Sequence, residues 1–330
     1  MPAGSQPRPF RFGVQARLAQ SRAQWAELAL RAEGLGYSSL TVPDHLDGQL
    51  GPIAGLMAAA NATTRLRIGH LVLANDYRHP AILAKELATL DLLSDGRLDL
   101  ALGAGHDQSD YRAIGVAFDR PGERIDRLEE ALEIIYGLFG AGSFSYEGKH
   151  YRVRGLDGQP KPVQPRVPLL IGAGGPRMLR LAARRADIIG VNGTMRPGPV
   201  SPGVLASDLP IPRISHASWL SMSAAQVDAK VAMIRESAGA RMAGIELSVR
   251  AFLTQVTGRL GALEEQLARE LEVDREFVRA SPFILSGSVN RIAETLHERR
   301  ERWGITHVVV GAAEMESFAP VLEAVGVTPR

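Results

Sequence analysis

The sequence predicts an eight-stranded parallel barrel, a (β/α)8 TIM barrel, with one long insertion after the sixth strand. Three observations predict it. Short apolar runs alternate with stretches of helical period along the 330 residues, which is the pattern of parallel strands joined by crossover helices. Eight such runs can be found, the number that closes a barrel. Several of them run into glycine or polar residues, as Leu100-Ala101-Leu102 runs into Gly103-Ala104-Gly105-His106, and α/β proteins place ligands at such strand ends.

In order, Phe10 to Gln15 reads as strand one. Ser21 caps a helix to Leu35, and Tyr37 to Val42 is strand two. Pro52 to Asn61 is helical, and Leu66 to Leu73 is strand three. The segment from Pro80 to Leu93 is a helix with proline in its first turn, where the missing N–H costs nothing. Ile82, Leu83, Leu87, Leu90 and Leu93 mark its apolar stripe. Ser94-Asp95-Gly96 stops it, and Arg97 to Gly103 is strand four.

Asp107 to Asp119 reads as a polar loop. Pro121 to Phe139 is amphipathic, with Ile125, Leu128, Leu132, Ile135 and Phe139 on the buried face. Ser143 to Val153 reads as a surface hairpin turning at Glu147-Gly148. Leu169 to Gly172 is strand five, Pro176 opens a helix to Arg185, and Asp187 to Val191 is strand six. Gly193 to Ser218 is proline-rich and aperiodic, and loops of that length are commonly functional. Ser223 to Ala238 is helical, Ile245 to Val256 holds strand seven, and 260–280 is helical in pieces. Ser288 to Trp303 carries Val289, Ile292, Leu296 and Trp303 on one side. His307 to Val310 is strand eight, and Ser317 to Ala324 the last helix. The barrel domain is thus 10–330, with its insertion at about 193–218. Residues 1–9, polar and proline-rich, are expected to form a flexible tail.

Composition narrows the function. The formal net charge is +2 and there are no cysteines. Nucleic-acid binding gets no electrostatic support, and thiolate metal sites, disulfides and cysteine nucleophiles are excluded. No apolar run reaches the roughly 18 residues of a membrane span. The leading residues lack the apolar core of a signal peptide, and a cytoplasmic protein is expected. None of the four lysines (Lys85, Lys149, Lys161, Lys230) falls at a strand end, which argues against a Schiff-base enzyme. The histidines are scattered without metal-ligand spacing.

In a barrel of this class the strand ends build the site. Here they carry Gln15; Asp44 and His45; Asn75 and Asp76; Gly105 and His106; Gly174 and Gly175; Asn192, Gly193 and Thr194; Arg250; and Gly311. His45 is suited to proton transfer near neutrality, and the plain alternative is a turn capped by Asp44. Gly172-Ala173-Gly174-Gly175-Pro176 at a helix start can cradle an anion on backbone N–H groups, or can serve only as a tight turn. It is not a dinucleotide fingerprint, because Arg177 stands where the third glycine belongs.

Five segments together carry a family resemblance: KELATLDLLSDGRLDLALGAG (Lys85 to Gly105), VPDH (Val42 to His45), Arg78-His79-Pro80, PKPVQ (Pro160 to Gln164) and IGAGGP (Ile171 to Pro176). The chain resembles the luciferase-like monooxygenase family, in its branch of oxidoreductases that use the deazaflavin coenzyme F420. The resemblance implies that Asp44 and His45 contact the cofactor ring, with His45 assisting hydride transfer. It implies a cis peptide between Leu71 and Val72 backing the ring. It places the cofactor phosphate on Gly172, Ala173, Gly174 and Gly175, with Asn192 and Gly193 adding contacts and Asn75 and Gly105 completing the cofactor set.

His106 departs from the family, where some relatives carry an acid. It takes over a proton-transfer role or is simply a loop histidine. The substrate would be a small organic molecule, the 193–218 segment would close over it, and the protein would be a homodimer. FMN with a separate reductase is the rival within the family. A non-redox phosphate-binding barrel, or a cofactor-free binding protein, is the rival from another class.

Overall fold

The computed structural model describes residues 8–196, 198, 199, 214–258 and 260–328. In chain order the elements are β1 (Arg11–Gln15), α1 (Arg22–Gly34), β2 (Ser39–Val42), α2 (Pro52–Ala62), β3 (Arg67–His70) and β4 (Leu73–Ala74). Next come α3 (Pro80–Leu93), β5 (Leu98–Gly103), α4 (Gln108–Ala113), α5 (Pro121–Phe139), β6 (Ser143–Glu147) and β7 (Arg152–Asp157). Then follow β8 (Leu169–Ala173), α6 (Pro176–Arg185), β9 (Ile188–Val191), α7 (His216–Leu220), α8 (Ala224–Ala238) and β10 (Glu246–Arg250). The chain ends with β11 (Leu253–Val256), α9 (Leu260–Glu270), α10 (Arg275–Ala280), β12 (Ile284–Gly287), α11 (Val289–Trp303), β13 (Ile305–Gly311) and α12 (Met315–Ala324).

The barrel predicted from the alternation is present. Parallel pairing runs β3-β2-β1-β13-β10-β9-β8-β5, and β3 pairs back onto β5 to close the ring. One face of each strand packs on the helices, as Phe12 does edge-on against Phe318 of α12 at 5.7 Å. The other face fills the interior. On the β5–β8–β9 side that filling is apolar, with Ala101, Leu170 and Ile188 clustered together with Leu71 and Val72. Nearer the N-terminal ends of the strands it is polar: Arg11 of β1 pairs with Glu246 of β10 at 2.6 Å, and Arg67 of β3 with Asp99 of β5 at 2.7 Å.

The structure revises several expectations. Strand three is not continuous from Leu66 to Leu73. It breaks after His70 and resumes at Leu73, and the Leu71–Val72 peptide between is cis, as the resemblance implied. Ile82 and Leu93 do not join the buried stripe of α3; they are 60% and 58% exposed, whereas Leu83, Leu87 and Leu90 are buried. At about 100° per residue, positions 82 and 93 fall roughly 90–110° off the axis of that stripe. The Asp107–Asp119 loop contains α4, capped by the Asp107 side chain on Ser109 N.

Strand seven is two strands. β10 belongs to the barrel, and β11 pairs in parallel with β12 in a separate two-stranded sheet that periodicity did not reveal. The hairpin extends to Asp157, and the aperiodic segment already becomes helical at His216. Most of the predicted tail and insertion, residues 1–7, 197 and 200–213, lies outside the described residues.

Candidate active site

Between β2 and α2 the chain turns through Asp44 and His45. The His45 ring is held at Nδ1, 2.7 Å from Asp110 Oδ2. Asp110 comes from α4, so the short helix in the polar loop is what delivers it. Its carboxylate is buried and also accepts from Leu46 N at 3.3 Å. A neutral imidazole bound this way donates from Nδ1, which leaves Nε2 as the free lone pair. Sequence reasoning did not select Asp110. The fold also brings His45, Asp107 and Asp110 within 4.8 Å of one another, a set able to hold a metal ion, although no spacing in the sequence suggested one.

His106 stands edge-on to His45, with ring centroids 5.4 Å apart. Its side chain is exposed. Desolvation, then the neighbouring His45, push its pKa below the usual histidine value. A group kept neutral in this way has no proton to spare and is a weaker base than an ordinary imidazole.

Asp44 has a different environment from the one the resemblance implied. Arg78 grips it with two bonds, Nη1 to Oδ2 at 2.6 Å and Nη2 to Oδ1 at 2.9 Å. Ala74 N donates to the same carboxylate at 3.0 Å. Both oxygens are therefore committed to protein, and Asp44 fixes the turn that carries His45. Asn75 is buried and directed at Asp76 and Tyr151 through its Nδ2. Gly105 has φ +75°, and its Cα is covered by the Tyr111 side chain. Glycine is needed there for conformation and for Tyr111.

Leu71 O accepts from Gln15 Nε2 at 3.2 Å, and Gln15 Oε1 accepts from Arg250 Nε at 3.1 Å. Val72 fills the space beside Gly103 and Gly172: a Cβ on Gly103 would stand 2.7 Å from Val72 Cγ2, and one on Gly172 3.4 Å from Cγ1. These two glycines leave room for Val72, and Leu71 and Val72 form an apolar floor with Ala101, Leu170 and Ile188.

Gly174 packs against the Gly193 carbonyl so closely that a side chain on it is excluded. Thr194 Oγ1 donates to Gly174 O at 2.8 Å, and Asn192 N donates to Ala173 O at 2.9 Å. The ends of β8 and β9 are thus one unit. Gly175 is the N-cap of α6 without a side-chain cap, and a Cβ there would meet nothing within 4 Å. The predicted site residues therefore come together at one end of the barrel. Asp44, Asn75 and Gly105 are engaged by protein partners, whereas His45, Val72 and Gly175 are half-buried and His106 is exposed.

Residues 8–201 match the model of the luciferase-like monooxygenases. The chain belongs to the luciferase-like monooxygenase family. An F420-dependent glucose-6-phosphate dehydrogenase of Nakamurella multipartita is 35% identical over 190 residues, which is 55% of this chain and 56% of that protein. The chain thus spans little more than half the length of such curated relatives. Among solved structures, the coenzyme F420 dependent tetrahydromethanopterin reductase of Methanopyrus kandleri superposes with TM-score 0.73 at 20% identity, covering 96% of this chain and 97% of that one. A riboflavin lyase holding a modified FMN superposes with TM-score 0.73 at 14% identity, covering 97% and 93%. Both structures bear out the fold of this luciferase-like protein. Among the described residues, no helix is long and apolar enough to cross a membrane.

Proposed function

We propose that this protein is an F420-dependent oxidoreductase that moves a hydride between the deazaflavin and a small organic substrate. The observation that carries the reading is the Asp110-held His45 at the end of β2, beside the Leu71–Val72 floor. The residues present fit the cofactor: the apolar floor suits an aromatic ring, and the uncapped Gly175 leaves backbone N–H groups open to a phosphate. Val72, Gly103 and Gly172 would support the ring, and Gly174, Gly175 and Gly193 the phosphate. Bound there, the deazaflavin supplies a ring carbon that accepts or returns a hydride.

His45 handles the accompanying proton. For a substrate alcohol, the C–H electron pair leaves with the hydride and the O–H proton passes to Nε2 of His45. Asp110 keeps Nδ1 protonated and steadies the cation that forms. His106 stands beside it as the second imidazole at the same mouth. Asp44 acts through Arg78 and Ala74 to hold the turn rather than by touching substrate. The likeness to F420-dependent relatives supports the deazaflavin over FMN, and the homodimer belongs to the same reading.

Fluorescence titration of the purified protein with coenzyme F420 and, separately, FMN tests it. Tighter binding of F420 is expected. Preference for FMN would replace the hydride-transfer reading by an oxygen-using monooxygenase, and binding of neither would remove the redox assignment. Light scattering reports the dimer.

A further inference from the structure

Resting on the cofactor reading above, we propose that Lys230 is the buried counter-charge of the phosphate cradle, a positioning residue that ties the ends of β8 and β9 together and favours a phosphate anion there. Lys230 lies on α8 and is 5% exposed. Its Nζ donates to Asn192 O and to Ser221 O, each at 2.7 Å. Asn192 begins the segment that packs on Gly174, and Ser221 Oγ accepts from Thr194 N at 2.7 Å. The ammonium group is therefore joined by two short paths to the cradle.

No carboxylate pairs with it among the described residues. The charged residues of α6, the helix packed on α8, are all arginines: Arg177, Arg180, Arg184 and Arg185. On α8 itself Asp228 is committed to Arg302 and Trp303, and Glu236 and Arg235 lie further along. The preceding α7 carries His216, and the turn between the two helices offers only Ser221 and Ser223 as polar side chains. The 3-10 turn after α8 carries Arg241, whose guanidinium donates to Ala186 O at 3.0 Å.

A buried ammonium costs several kcal/mol unless it is compensated. Two carbonyls offset only part of that cost. A phosphate on Gly174 and Gly175 would supply the missing charge. Lysine also suits the geometry better than arginine, because a compact three-donor group matches two carbonyls and leaves one donor over. Burial, then Arg196, push the Lys230 pKa down to about 8. An anion beside it pushes the pKa back up. Phosphate binding at a pH above about 8 then takes up a proton, and affinity declines as pH rises through that value.

The test compares coenzyme F420 with its fragment of ring and ribityl chain, which lacks the phosphate, by fluorescence titration of wild type and Lys230→Met. Wild type should bind F420 more tightly than the fragment. The substitution should cut that preference by about tenfold or more, a change of about 1.4 kcal/mol, with little change for the fragment. If wild type shows the preference and Lys230→Met keeps it, the assignment of Lys230 fails while the cradle stands. If wild type shows no preference, the cradle reading fails and Lys230 with it.

Should the variant not fold, calorimetry of wild type at pH 8.5, in two buffers of different ionisation enthalpy, decides. Proton uptake with F420 and none with the fragment supports the proposal. Equal uptake with both, or none with either, overturns it.

Discussion

Replacing Asp110 by asparagine should release His45 from a single tautomer while leaving the fold in place. The carboxylate meets His45 Nδ1 at 2.7 Å and Leu46 N at 3.3 Å. At an effective dielectric near 20, a full charge pair at such a distance is worth at most about 6 kcal/mol. The real figure is smaller, because the His45 side chain is 24% exposed. A hydrogen bond to a charged group is worth about 1.5–3 kcal/mol net.

That amount biases the Nδ1–H tautomer by a factor of about ten to a hundred. An asparagine is isosteric and can still accept from Leu46 N, but its amide can face His45 with either end. Long-range proton–nitrogen correlation spectra read the tautomer directly, without a substrate. Wild type should show one Nδ1–H form and Asp110→Asn a mixture. Once a substrate is known, turnover should fall by the same ten- to hundredfold while F420 affinity changes little. An unchanged spectrum in the variant would refute the claim that Asp110 orients His45.

Two further outcomes are expected. Arg78→Met strands the Asp44 carboxylate, whose side chain is only 4% exposed; breaking a buried pair costs about 3–5 kcal/mol, with the lower end expected because Arg78 is partly exposed. Urea denaturation measures it, and a loss well under 1 kcal/mol would mean that Asp44 does not depend on Arg78. The second outcome concerns acid. His70 is depressed to about 3, by burial and then Arg78, and His307 to about 4, by burial and then Arg11. The unfolded chain binds these protons near pH 6.5 and the folded one does not. Stability is therefore full above about pH 6.5 and falls below it by up to about 1.4 kcal/mol per pH unit for each histidine. Urea midpoints that stay flat from pH 7 to 5 would contradict it.

Local pattern carried the barrel well. The bounds of α3 and α5 follow from a first-turn proline, an apolar period and a stop, and both helices run from Pro80 to Leu93 and from Pro121 to Phe139 as read. His79 before Pro80 orders the start of α3, accepting from Ala81 N at 3.2 Å. The partners of the site residues were not legible, because they are set by tertiary packing. Asp110 lies 65 positions from His45 and Arg78 lies 34 from Asp44, and no spacing rule links residues so far apart. Gly105 illustrates the converse: glycine was correctly singled out, but the structure assigns it to Tyr111. β12 escaped notice because four residues are too few for a period to show.

The interruption of strand three has a consequence in counting. Below it, Ile68 and Gly69 pair with Leu98 and Asp99, an offset of 30; above it, Leu73 and Ala74 pair with Leu102 and Gly103, an offset of 29. One strand has therefore spent one residue more than its neighbour, which is the arithmetic of a β-bulge. Strict alternation would send Leu71 and Val72 to opposite sides of the wall. The extra residue breaks that alternation, and both side chains join the interior cluster with Ala101, Leu170 and Ile188. A frameshift of one residue, harmful in an ordinary strand, here turns two consecutive apolar side chains of one strand into the barrel interior.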